Sequence, residues 1–287
     1  MNAPSDSLIT RMARSIPVIA VDRRLSRALV ATLVIGGWMA LGFAFRLSAE
    51  GYLLLGIPIT IAFQALVVRR PLRALWLRDA PPMTFTARSI VAIVVVAIAP
   101  AVVAVSGVRA GNAVLIVYGL AGMFGAVGAV YALRAMDRDA IRSTIRATLI
   151  TSAVLVGLMV SYRIASGGFN GNLATAVVTA MISVATYLPV VFVLEEVLFR
   201  GLLDPYLHGS TAGPDRASAI YGSALWGIWH LPVMSIALGA FTIPYLVAVH
   251  TVLGYVLVTS WRRTGNLAAP GIAHAVSDAL RNAVAVL

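Results

Sequence analysis

The residues able to do chemistry are few and crowd into the C-terminal half. The stretch Val190 to Leu203, VVFVLEEVLFRGLL, sets two of the three glutamates side by side in an apolar run, with an arginine close behind. A charge at the bilayer centre costs ~2.5–3.5 kcal/mol on insertion scales, so each such group is a functional candidate. Helical spacing separates the pair. Glu196 and Arg200 are i and i+4 and share a face, whereas Glu195 is rotated by ~100° from Glu196. This division makes Glu196 structural and leaves Glu195 as the reactive carboxylate, a candidate general base or acid. The competing explanation is one buried ion-pair cluster that ties helices together.

Two further clusters follow. In LWGIWHLP, Trp226 and His230 are i and i+4, so the indole can wall off the imidazole. In GIAHAVSDALRNAVAVL, His274, Asp278, Arg281 and Asn282 fall at i, i+4, i+7 and i+8. That is one polar stripe on an otherwise apolar helix, and it must face the bundle interior or a cavity. His250 has no polar partner at i±4 and is assigned to packing or a structural hydrogen bond. A single histidine in a membrane helix is usually a helix–helix hydrogen bond, but three polar clusters on three segments are harder to dismiss. At ~1.5 Å rise per residue, Glu195, His230 and His274 lie roughly 13, 21 and 16 Å from the nearest charged residues at one membrane face (Asp204, Arg216 and Arg263). The three can therefore meet at similar depth.

The elements that must position them are membrane helices. The chain has 287 residues, 60% hydrophobic and 11% charged, against nearer 25% charged for soluble domains. Its apolar runs repeatedly reach the ~20 residues that cross a bilayer core. Alternating strand patterns are absent, which argues against a barrel. The expected fold is all-α, a polytopic transmembrane bundle of about eight or nine spans. The apolar segments are 27–45, 51–68, 88–107, 112–133, 146–162, 173–199, 217–237, 241–260 and 268–287; the seventh and eighth are the hardest to separate. The division expected is a polar N-terminal segment over 1–25, scaffold spans over 26–165 and a catalytic core over 172–287. In span four, Ala121, Gly125 and Ala129 repeat at four-residue spacing, a face that lets helices approach closely. The basic loop Arg69 to Arg88 is expected to be a connector.

The formal net charge is +11, with arginine the sole lysine/arginine-type cation. The arginines gather in alternate loops, so topology explains them better than nucleic acid does, and the positive-inside rule puts the N-terminus in the cytoplasm. The localisation expected is a multi-pass protein of a bacterial cytoplasmic membrane. Cysteine is absent, which excludes disulfides, thiolate metal sites and a cysteine nucleophile.

The three clusters also carry a resemblance. Glu195-Glu196-Val-Leu-Phe-Arg200 resembles the EExxxR motif of the CPBP (Abi) intramembrane proteases, the family of the type 2 CAAX prenyl proteases. Trp226-Gly-Ile-Trp-His230 is similar to that family's FxxxH, with tryptophan replacing phenylalanine. His274-Ala-Val-Ser-Asp278 is similar to HxxxN or HxxxD. The order matches, and the resemblance covers roughly 175–287. It implies an intramembrane endopeptidase in which Glu195, with His230, activates a water, and His274 and Asp278 help bind the oxyanion. Glu196 and Arg200 match the motif's second acid and its arginine. Asp278 departs from the asparagine form: an ionised carboxylate repels an oxyanion. It must be protonated, orient His274, bind metal, or pair with Arg281. Asn282, one turn on, could supply the missing amide donor. His230, His274 and a carboxylate could hold a zinc ion with an open position, and the family is described both as metalloprotease and as metal-free. The partners expected are the bilayer and a membrane-associated peptide or protein, including CAAX-type C-termini. The alternatives are a bacteriocin or peptide self-immunity protein, or a transporter or scaffold using the buried acids as a proton or cation site.

Overall fold

The structure, a computed structural model, describes residues 23–79, 81–209, 215–234 and 241–287. Most of the segment 1–25 lies outside the described residues. Ten helices account for the described architecture, and no strand occurs among the described residues. They are α1 Arg23–Phe45, α2 Ala49–Val68, α3 Ala87–Arg109, α4 Ala113–Arg134, α5 Arg138–Ala165, α6 Leu173–Val191, α7 Asp204–His208, α8 Arg216–Trp229, α9 Thr242–Thr264 and α10 Ala268–Ala285.

Polar caps start most of the long helices. Ser48, Asn112, Asp137, Asn172 and Asp215 each accept from a backbone N–H in the first turn. Thr86 and Ser89 close a reciprocal box at the start of α3. These side chains satisfy donors that a helix start leaves open. Seven helices are long and apolar enough to cross a membrane: α1 to α6 and α9. Large side chains such as Leu33, Val91, Leu149 and Met181 stand exposed along them, as lipid contact requires. The protein is therefore an integral membrane helical bundle. Two expected spans are shorter. The segment 217–237 forms the 14-residue α8, about 21 Å at 1.5 Å per residue, and residues 235–240 lie outside the described set. α10 has 18 residues and a mostly buried, alanine-rich surface, so it runs inside the bundle.

The small-residue face of α4 is a packing face. Gly119, Gly122, Gly125, Gly128 and Ala129 are all buried. A methyl group added at Gly125 would run into the Pro189 carbonyl of α6, and one at Gly128 would meet the Trp76 indole. Backbone approach of this kind is what small residues permit in membranes.

The expected connector between α2 and α3 is an anchor. After a 3-10 turn at Leu72–Leu75, Trp76 Nε1 donates to the Phe192 carbonyl at 2.7 Å. Leu77 bridges Asn266, and Leu267 N donates to the Trp76 carbonyl at 2.9 Å. Gly201 presses on the Leu75 carbonyl, where a side chain would collide. The loop thus wedges under the segment that carries the glutamates.

A second anchor is aromatic. Trp38 of α1, Tyr52 of α2 and Trp229 of α8 pack at ring separations of 5.1–5.6 Å. Trp38 Nε1 donates to the Tyr52 carbonyl at 2.9 Å and Tyr52 Oη to the Trp229 carbonyl at 2.8 Å. Each such ring pair contributes about 0.5–1.5 kcal/mol beyond area burial. The triad fixes the end of α8, one residue before His230.

Candidate active site

The glutamates sit where the sixth apolar segment breaks. Span 173–199 is helical only to Val191. Pro189 lacks the N–H its turn would use, and residues 192–195 form a turn before a π-helical segment at Val197–Leu203. The Phe192 carbonyl, left open where the helix ends at Val191, is taken up by the Trp76 indole. Single π turns inside membrane helices recur at functional sites. Here the wide turn carries Arg200 inward.

The two acids occupy different surroundings. Glu196 is fully buried; its Oε1 lies 3.0 Å from Arg200 Nη1 and accepts from His274 Nδ1 at 2.8 Å. The Arg200 guanidinium lies 4.2 Å over the Trp226 ring, a cation–π contact strengthened by exclusion of water. Glu195 keeps 15% of its side chain exposed, as His230 keeps 16%. Its Oε2 accepts from Trp226 Nε1 at 3.1 Å and lies 3.8 Å from His230 Nε2. Glu195 and His230 are thus the partly exposed pair, and Glu196 with Arg200 forms the buried tie beneath them.

Trp226 is the hub. Its ring lies 5.4 Å from His230, 4.8 Å from His250 and 5.2 Å from His274. Where the resembling motif has phenylalanine, the indole adds an N–H that reaches Glu195. His230 Nδ1 faces the Trp226 carbonyl at 2.8 Å. A carbonyl only accepts, so Nδ1 carries the proton and the neutral ring presents its lone pair at Nε2. That lone pair points to the Glu195 side.

His274 is drawn to the other acid. Depth along the helices let Glu195, His230 and His274 meet; in the structure His274 bonds Glu196. Its Nε2 lies 3.5 Å from Asp278 Oδ2, and Asp278 Oδ1 lies 3.2 Å from Arg281 Nη1. Asp278 therefore stands between His274 and Arg281. Two carboxylates face a ring that can carry one positive charge.

Asn282 is committed elsewhere. Its Nδ2 donates to Tyr187 Oη at 3.0 Å, with Ser183 Oγ at 3.4 Å, and its Oδ1 accepts from Arg281. It ties α10 to α6. His250, assigned to packing from sequence, has its ring 4.2 Å from that of His230 and its Nδ1 on the Leu246 carbonyl at 2.8 Å.

Sequence reasoning missed the clasp below the site. Arg262 of α9 grips Asp204 through Nε at 3.0 Å and Nη2 at 2.6 Å, and also reaches the Asp215 carbonyl and Ser218 Oγ. It joins the end of the π segment to the start of α8 and the end of α9. Arg262 read as a topological marker because its partners lie 44 to 58 residues away. The one local signal was Asp204, an acid directly after an apolar run.

The donor set does not fit the expected zinc site. Both nitrogens of His274 face carboxylates, and His230 Nδ1 is held by a carbonyl. Among the described residues no three His, Asp or Glu side chains converge as a metal would need.

A partly exposed Glu–His pair over a buried Glu–Arg–His tie, inside a bundle of apolar membrane helices, is the arrangement that the fold assembles. Residues 177–280 match the family described as type II CAAX prenyl endopeptidase, Rce1-like. The matched segment, roughly a third of the chain, is similar to that family and carries Glu195, His230 and His274. No curated protein and no solved structure matches it.

Proposed function

We propose that this protein is an intramembrane endopeptidase. It hydrolyses a peptide bond in a membrane-associated peptide, and C-terminal processing of the CAAX type is the first substrate class to test. The observation that carries this is the partly exposed Glu195 carboxylate, with Oε2 3.8 Å from His230 Nε2. Both atoms accept, so a water seated beside the pair donates a hydrogen to each and turns its oxygen lone pair outward.

When that oxygen attacks the scissile carbonyl, Glu195 takes the proton. The carbonyl π bond opens to an oxyanion, which His274 stabilises as a donor through Nε2. The His274–Asp278 separation is long for a hydrogen bond, so the ring can serve a new acceptor there. Collapse of the intermediate breaks the C–N bond, and the leaving amine takes the proton from Glu195. Acid and amine are the products, with nothing left over. Glu196 acts one step removed: it fixes the Nδ1 side of His274 and is held by Arg200.

The test uses purified protein in lipid with a library of membrane-associated peptides, prenylated C-termini included, read by mass spectrometry. Glu195→Gln should fold with the wild-type melting temperature and release no products. Cleavage at the wild-type rate by Glu195→Gln would refute the base assignment. Absence of cleavage by wild type across the whole library would refute the substrate class.

A further inference from the structure

We infer that the arginine-rich end of the bundle holds a binding site for a phosphate-bearing anion, supplied as the headgroup of an anionic phospholipid. A cavity of about 540 Å³ opens there between the ends of α1, α2 and α9 and the short α7. Since a water occupies about 30 Å³, this volume admits a whole headgroup.

Its walls carry four arginines, Arg27, Arg70, Arg78 and Arg262, against one acid, Asp204. Arg262 and Asp204 neutralise each other in the clasp below the active site. Three guanidinium groups are then left facing the cavity, and among the described residues no carboxylate lies within ion-pair distance of Arg27, Arg70 or Arg78. Two are held in place by aromatic rings rather than by acids. Arg27 lies 6.0 Å from the Tyr206 ring and Arg78 lies 5.6 Å from the Trp261 ring. Arg78 Nη2 also donates to the Trp261 and Arg262 carbonyls. Gly209, at φ +65°, clears the path of Arg27, where a side chain would collide with the guanidinium. Forked donors held in fixed orientation and lacking an acid are what a phosphate oxygen pairs with.

The membrane setting selects the source. Val67 lines the cavity and, like its neighbour Leu66, is exposed at the end of a membrane helix. Acyl chains can run along that surface while the headgroup enters the basic cavity, as happens in basic pockets between membrane helices. The site is independent of the proteolytic reading, since it uses none of the residues in that mechanism.

The test uses the full chain in uncharged detergent, with native mass spectrometry and thermal melts. Phosphatidylglycerol should bind saturably and raise the melting temperature, while phosphatidylcholine should not. Arg27→Gln/Arg70→Gln should weaken phosphatidylglycerol binding roughly thirty-fold, and Arg109→Gln, outside this cavity, should leave it unchanged. Inorganic phosphate that saturates the same shift as fully as the lipid would overturn the lipid source. Equal weakening by the double variant and by Arg109→Gln, or equal binding of phosphatidylcholine, would overturn the site.

Discussion

On the proteolytic reading proposed above, Gly227 links packing to catalysis in a way that one methyl group can test. It lies in α8 beside Trp226 and three residues before His230. A Cβ placed there would sit 2.7 Å from the Leu246 carbonyl, 3.0 Å from Val247 Cα and 3.1 Å from His250 Cβ. Ordinary contact begins at 3.4 Å, so Gly227→Ala forces α8 and α9 apart by about 0.7 Å (3.4 − 2.7). Overpacking of this kind costs about 1–3 kcal/mol, and alanine in a helix returns about 0.5–1 kcal/mol. The net destabilisation is therefore about 0–2.5 kcal/mol. Catalysis is less forgiving, since a misplacement near 1 Å can cost about 100-fold. We expect turnover to fall by about tenfold or more while the melting temperature moves little. The control is Gly157→Ala on the exposed side of α5, where a Cβ meets nothing within 4 Å. It should raise stability by about 0.5–1 kcal/mol and leave turnover unchanged. Peptide cleavage at saturating substrate and thermal melts in the same lipid measure both quantities. Wild-type turnover in Gly227→Ala, or an equal loss in Gly157→Ala, would refute the claim that the α8–α9 contact sets the site.

Three other outcomes are expected. Arg262→Met strands Asp204, which is 5% exposed, and should lower stability by about 3–5 kcal/mol; a melting temperature within error of wild type would show that the clasp is not structural. Asn282→Ala should lower the melting temperature by loosening α6 from α10, at about 1–3 kcal/mol, and turnover should fall only in step; lost turnover with unchanged stability would instead put the amide at the oxyanion. Asp215 caps α8, and the Ser218 N–H on its Oδ1 holds its carboxyl below the usual carboxylate range. With the folded pKa depressed, that stabilisation is full above the unfolded value of about 3.9 and fades as pH falls through the folded one. Asp215→Ala should thus cost about 1 kcal/mol at pH 7, and acid melts should show the gap to wild type closing; a constant gap from pH 7 to pH 3 would contradict the cap.

The helical membrane class was legible because it needs only run length and scarcity of charge, which are local properties. The three polar clusters were legible for the same reason: an acid or histidine in an apolar helix stands out without any knowledge of its neighbours. The i, i+4 rule also separated Glu196 from Glu195, since Arg200 lies one turn away. Contacts between distant residues were not legible. Nothing in the spacing says that His274 turns to Glu196, that Trp226 N–H reaches Glu195, or that His250 stacks beside His230. Trp76 shows this most plainly. It sits in a polar loop that read as a connector, yet its indole takes up the Phe192 carbonyl where the helix breaks, three residues before Glu195 and 116 residues on. The sequence by itself determined which residues are too costly to be there without a reason. The tertiary structure alone decided which of them meet, because pairing among buried polar groups depends on which helices touch, and here that is set by glycines that let backbones come close.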